Sequence, residues 1–597
     1  MSTKKSRRKF IQTGGLALAG TFLSQATYAD GVFSKSFSKK DNRLMEKLIA
    51  NNDKSTGEIL KKGPLDPRII LNSFRSLASS IAILSASISC SKSKHYQSEE
   101  VLTLLEGKMD IMLNGQYEDG TVDAGGNRQS PPDTAFVLEH ICAAATVLKD
   151  IRAKSLVSVK EKLRIFILNA GEAMVTGGVH TPNHRWVISA ALANINALYP
   201  DPKYVKRIHE WLAEGVFIDE DGHYLERSGV YSAVIDKAFI TISRLLDMPE
   251  LLDAVSKNLT MYYYYTEPNG DVISLDSRRQ DQLEVSNISK FYLQYRYMAI
   301  LTENPLFIYQ INKIESLPDF EQNILSKSLI AFMEEPILQK ELPSSANVSQ
   351  EFEKFFSTSH LARIRYGDTA ITIFGGTDKP VQIISGKSSN PNFMTFAKGN
   401  AILNYMRLST SFFRMGYFRS DGLEKIGQTY TLKETKEAYY YQPMSAKSRK
   451  ADGDYDLSAS PDGRFWNKMD FDSREKSNIK EQVTVIEIIE NDGVVNLEFK
   501  VDGPPNVEVT IEMCFKEGGD LAGVETVENN DYLLQSGFGT YTMGTDTVTF
   551  GPGKNEHRRI TNLESEQYTY HQGSLRLEGM HVYITGYTPF IHKMTIS

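Results

Sequence analysis

The chain has 597 residues, more than one hydrophobic core organises, and its 41% hydrophobic and 24% charged composition is that of ordinary globular domains. A net charge of −7 lacks the basic footprint that nucleic-acid binding requires. Cys90, Cys142 and Cys514 are odd in number and widely scattered, so they give neither a disulfide framework nor a metal spacing, and they read as buried apolar thiols.

Residues 1–29, MSTKKSRRKFIQTGGLALAGTFLSQATYA, have a basic start, a short apolar run and small residues before Ala29. This is the pattern of an export signal, and the run is too short to span a bilayer. Ser6-Arg7-Arg8-Lys9-Phe10-Ile11 resembles the twin-arginine consensus, which makes the twin-arginine export machinery an expected partner and a periplasmic or secreted location the expectation. The segment holds five cations and no acid, so its removal takes the net charge from −7 to −12, with no integral membrane segment expected in the mature protein.

Residues 30–340 read as helices joined by short loops, as in PPDTAFVLEHICAAATVLKDI and YSAVIDKAFITISRLLDM, where apolar residues recur at three and four. Paired helices with no strand pattern between them predict a helical-hairpin array that closes into an α/α toroid or stacks as a solenoid. From 341 to 597 the texture changes to alternating runs bounded by Gly, Asp and Asn, including EQVTVIEIIENDGVVNLEFKVDG with a hairpin turn at Asn491-Asp492-Gly493. The expected architecture is an N-terminal (α/α) toroid followed by a C-terminal antiparallel β-sandwich.

Within the helical half, GVHTPNHRWVISAALANINALYP crowds His180, Asn183, His184 and Arg185 at the mouth of an apolar helix, with Thr181 as its expected cap and Pro182 in its first turn. Free N–H groups and the helix dipole favour an anion there. A second stretch, HYLERSGVY, places Tyr224, Arg227 and Tyr231 at or before another helix start. Alternate helix starts of a toroid open on one face, so the two mouths share a cleft, where a tyrosine is placed to exchange a proton. Arg278 and Arg279, after a Gly turn, suit bidentate carboxylate binding, and Asp133 opens a further helix of the same face. In the β half, His360 reads as the opening of the first strand, at an edge that reaches the cleft if the sheet packs over it, and Tyr405, Tyr430 and Tyr439–Tyr441 compete with it. The histidines lack metal-ligand spacing, and neither a metal nor a cofactor is called for.

At Asn183-His184, at Tyr231 about fifty residues on, and at a His or Tyr from the β half, the chain resembles the heparinase II/III-like and alginate-lyase-like polysaccharide lyases. That resemblance implies β-elimination at a uronic acid within an acidic polysaccharide. Asn183 and His184, with Arg227 assisting, would neutralise the carboxylate. Tyr231 would be the acid, or both acid and base in a syn elimination, and His360 the base of an anti elimination. His180, Arg185, Tyr224, Arg278, Arg279 and Asp133 would line the substrate site. The rival readings are an α/α-barrel glycoside hydrolase, which needs two opposed carboxylates from among Asp133, Asp219, Asp221 and Asp276, a uronate epimerase, and a non-catalytic glycan-binding protein.

Overall fold

The computed structural model describes residues 41–63, 74–124, 126–279, 281, 285–344, 347–376, 390–455, 470–558 and 578–597. The expected export signal and His571 lie outside these residues. Among the described residues no helix is long and apolar enough to cross a membrane.

Among the described residues twelve α-helices make the first half: α1 (Asn42–Lys62), α2 (Phe74–Ser89), α3 (Glu99–Asn114), α4 (Pro131–Leu148), α5 (Val157–Thr176), α6 (His184–Leu198), α7 (Pro202–Leu212), α8 (Gly229–Leu246), α9 (Leu251–Tyr265), α10 (Tyr292–Thr302), α11 (Pro305–Glu315) and α12 (Ser326–Glu334). Helices α2, α4, α6, α8 and α10 pack side by side as an inner arc, with α12 against α2 and α4, and the odd-numbered helices from α3 to α11 back the arc from outside. The inner helices are buried nearly all round, which is why α4 reads as Ala- and Leu-rich with little amphipathic contrast. Their starts are marked chemically. The Ser130 hydroxyl accepts from Asp133 N at 3.3 Å ahead of Pro131 and Pro132, and the Ser228 hydroxyl accepts from Tyr231 N at 3.4 Å. Two short hairpins interrupt the helical texture, a departure from the strand-free expectation: β1 (Val122–Ala124) with β2 (Asn127–Ser130), and β3 (Asp271–Val272) with β4 (Ser286–Asn287).

The second half consists of two stacked sheets. The nine-stranded sheet runs, in spatial order, from β5 (Phe352–Phe356) and β6 (Leu361–Tyr366) through Thr369–Phe374, Met394–Lys398, Ala401–Thr410, Glu508–Phe515, Met580–Tyr587, Asp531–Leu533 and Glu525–Glu528. The eight-stranded sheet includes the long hairpin Lys476–Asn491 with Val494–Asp502, turning at Asp492 and Gly493 with φ of 50° and 84° as the Asn-Asp-Gly signal requires. Pairing is antiparallel except between Asp531–Leu533 and Met580–Tyr587, which run parallel.

The nine-stranded sheet is buried on both faces. Ala362 and Ile364 of β6 join the core between the sheets, whereas Leu361, with Phe356 and Phe374, joins the helical core. Arg363, on the same side as Leu361, crosses the junction: its guanidinium donates to Tyr264 O (3.0 Å), Glu267 Oε1 (2.9 Å) and Thr372 Oγ1 (2.6 Å). The Ser357–His360 turn, between β5 and β6, is clamped to the helical half at Thr358, which donates from N and Oγ1 to Asp221 (2.7 and 2.9 Å) and from Oγ1 to Asp219 (2.7 Å). His360 therefore stands in the turn before the second strand rather than opening the first, with φ +54° and an exposed side chain.

Arg363 is fully buried at this junction and Glu267 is partly buried. Arg363→Ala should cost ~3 kcal/mol, because it strands a carboxylate and two acceptors away from water. Urea unfolding followed by far-ultraviolet circular dichroism measures that loss.

Candidate functional site

The starts of α2, α4, α6 and α8 meet at one end of the arc, and a chain of side-chain contacts links them. Arg75, in the first turn of α2, pairs with Asp133 and lies over the Phe136 ring at 4.0 Å. Phe136 meets His184 edge-on with ring centres 6.4 Å apart, and His184 meets His180 edge-on at 4.7 Å. From α6 the chain continues through Asn183 to Glu226, Arg279 and Tyr231.

Glu226 is the hub of this chain. Its buried Oε1 accepts from Asn183 N (3.0 Å) and from Asn183 Nδ2 (2.7 Å), and its Oε2 lies 3.3 Å from Arg279 Nη1. Arg279 in turn donates from Nη2 to the Tyr231 hydroxyl at 3.2 Å and stacks on its ring at 4.5 Å. Asn183, His184, Arg279 and Tyr231, distant in sequence, thus share one network. Glu226 was missed by the sequence reading, although it stands within the quoted ERSGVY. An acid beside an arginine just ahead of a serine helix cap was the available signal.

The same network sets what Asn183 offers. It occupies the N-cap position of α6, in place of Thr181, yet its side chain makes no capping bond. Both amide hydrogens are engaged, one by Glu226 and one by Thr181 Oγ1 at 3.2 Å, and its Oδ1 is buried without a partner. An ionised carboxylate at Glu226 accepts only, so it dictates which way the amide faces.

Asp133 is buried, which favours its neutral form, but donors from Ser130 (2.7 Å), Asn127 (2.9 Å) and Arg75 outweigh that and hold its carboxyl below the usual range. It anchors the mouth as a hydrogen-bond acceptor. Other expected members sit elsewhere. Arg185 lies one position past His184, so about 100° round the helix, and pairs with Glu214 at 2.8 Å over the Trp186 ring. Tyr224 is in the helical core, donating to Asp236 at 2.8 Å, and burial raises both groups. Arg278 donates to Leu225 O at 3.2 Å, and Arg227, with φ +46°, donates to Thr358 O at 2.7 Å, tying the loop before Tyr231 to the β half. Among the described residues His360 makes no hydrogen bond to Asn183, His184 or Tyr231. Tyr405 lies in a separate buried cluster with Arg407, Glu512 and His581, and Tyr430 donates to Glu353.

Burial, with the nearby His180 adding to it and Asp133 opposing it, pushes the His184 imidazole down to about 4. The ring is therefore neutral at pH 7, and it acts through a single N–H rather than as a cation. Because the folded chain binds this proton only near 4 and the unfolded chain near 6.5, His184's contribution to stability is full above 6.5 and falls as the pH drops towards 4. Imidazole NMR should show a midpoint near 4 for His184, and Asp133→Asn should lower it further.

No protein-family model matches the chain, and no curated protein matches it by sequence. Solved structures do. A Paenibacillus xanthan lyase superposes with TM-score 0.54 at 7% identity over 94% of this chain, which spans 58% of that enzyme. A chondroitin AC lyase of Streptomyces coelicolor A3, solved with chondroitin sulphate, superposes with TM-score 0.53 at 11% identity, covering 95% of this chain and 81% of its own. Heparinase III aligns over 87% of this chain and 76% of its own, with TM-score 0.47 and 10% identity. A helical arc followed by stacked sheets is a fold that this chain shares with polysaccharide lyases of the α/α-toroid class.

Proposed function

We propose that the protein is an exported polysaccharide lyase that cleaves a uronic-acid-containing polysaccharide by β-elimination. The observation that carries this reading is the single network joining Asn183, Glu226, Arg279 and Tyr231 beside the neutral His184. In the reaction the uronate C5–H bond breaks, its electron pair forms the C4=C5 double bond, and the C4–O4 bond opens as O4 takes up a proton. The product carries an unsaturated uronide at its new end.

Charge develops on the carboxylate as the C5 proton leaves, and fixed donors at that point lower the barrier. Arg279 and the His184 N–H supply these donors. Asn183, buried with its amide hydrogens committed, serves by fixing Glu226 beneath these donors. Tyr231 is the acid and base of a syn elimination: it is the titratable group joined directly to the carboxylate-binding set, and its oxygen is oriented by Arg279. His360, on an exposed turn, is the alternative base for an anti elimination.

The carboxylates that a hydrolase would need are otherwise engaged. Asp276 accepts from the Tyr265 hydroxyl at 2.8 Å, Asp219 and Asp221 hold Thr358, and Asp133 holds Arg75. This favours elimination over hydrolysis.

Purified protein offered a panel of uronate polymers should generate an ultraviolet-absorbing double bond, and saturated products alone would point to hydrolysis instead. Asn183→Ala and Tyr231→Phe should each lower turnover by ~10³-fold or more with the circular dichroism spectrum unchanged. Glu226→Gln accepts as Glu226 does but loses the charge facing Arg279. It should lower kcat by about 10²-fold, with a smaller change in KM.

A further inference from the structure

We infer that the β1–β2 hairpin forms a second anion subsite, in which Arg128 receives the carboxylate or sulfate of a sugar next to the one being cleaved. The inference rests on the lyase reading for its ligand class and on separate observations for its location. An open groove of about 350 Å³ runs between the hairpin and the Gly178–His180 segment, lined by Asn127, Arg128, Gln129, Ser130 and His180 among others. It lies beside the central site: the His180 ring packs on His184, and Asn127 Nδ2 donates to Asp133 at 2.9 Å.

The groove is built around a buried carboxylate. Asp123 is 2% exposed and accepts from Arg128 Nη1 (2.6 Å), Gln129 N (2.8 Å) and the Tyr117 hydroxyl (3.0 Å). Gln129 holds φ +43°, an unfavoured conformation kept in place by that bond. Arg128 itself is 65% exposed. Its single hydrogen bond to Asp123 leaves most of the guanidinium fork turned to the groove, already oriented.

Two further arginines along the mouth repeat this arrangement with decreasing exposure. Buried Asp133 holds Arg75, 48% exposed, and buried Glu226 holds Arg279, 13% exposed. His184 lies within electrostatic reach of both Arg75 and Arg279. Exposure of the guanidinium groups thus falls from Arg128 through Arg75 to Arg279, and each is paired with a buried acid. A polymer with an anionic group on successive sugars matches such a row, since a bidentate arginine reads the planar anion by geometry as well as charge.

Equilibrium calorimetry in a Tyr231→Phe background tests the subsite, with polymannuronate di- and hexasaccharides and a chondroitin sulfate hexasaccharide as ligands. Arg128→Gln should weaken a hexasaccharide roughly tenfold, about 1.4 kcal/mol, and the disaccharide far less. A loss shared equally by the two hexasaccharides assigns the carboxylate that both carry, and a larger loss for chondroitin sulfate assigns the sulfate. Unchanged hexasaccharide affinity, or an equal loss for both lengths, overturns the subsite. Asp123→Asn with Arg128→Gln avoids a stranded acid and should repeat the result, while Arg128→Lys should give an intermediate loss. Should the wild-type protein release no unsaturated product from these ligands, the lyase reading falls, while a length-dependent loss at Arg128 still reports the subsite.

Discussion

A buried carboxylate has to be paired, and the way Glu226 meets that requirement organises the mouth of the arc. Burying an ionised acid costs several kcal/mol unless donors surround it. Glu226 accepts from the backbone and side chain of Asn183 at the start of α6, and is ion-paired with the guanidinium of Arg279 on the loop between β3 and β4. Satisfying the acid therefore brings these segments to a common point. It also orients the Asn183 amide and carries Arg279 onto Tyr231, so the demand for a stable interior and the geometry for proton transfer are met by one set of bonds.

The junction between the halves works in a related manner. Arg363 crosses from the nine-stranded sheet to Tyr264 and Glu267, and Thr358 crosses from the preceding turn to Asp219 and Asp221. Arg227 returns the connection from the loop that precedes Tyr231. The β half thereby steadies the segment on which the tyrosine stands. This role differs from delivering a base through His360, whose side chain is exposed on the turn itself.

Much of the architecture was legible because it depends on local periodicity. Helices such as α4 and α8 announce themselves by apolar spacing and by Ser or Pro at their starts, and the Lys476–Asp502 hairpin by alternation about Asn-Asp-Gly. The shared mouth was legible from topology, since alternate helix starts of a toroid open on one face, although the cap of α6 proved to be Asn183 and not Thr181. Misplacements arose where direction matters more than spacing. Arg185 follows His184 by one residue and so points to Glu214, and Tyr224 turns inward to Asp236. Glu226, Arg75 and Arg128 were passed over because their importance comes from partners 43, 58 and 5 residues away, and a single sequence carries no record of such pairings. The short strand β5 was also hidden, because FEKFF lacks clear alternation, and that shifted His360 by one strand.

The pairing of every mouth arginine with an acid leaves little net positive field above the cleft. Over a chain of net charge −7, an incoming polyanion meets repulsion at long range and complementarity only on contact. Such a surface captures its ligand slowly in dilute buffer and more readily as counter-ions shield the approach, the reverse of the salt response of a basic polyanion-binding groove. On the proposed lyase reading, recognition rests on how well the anions of a sugar chain match the spacing of forks already in place.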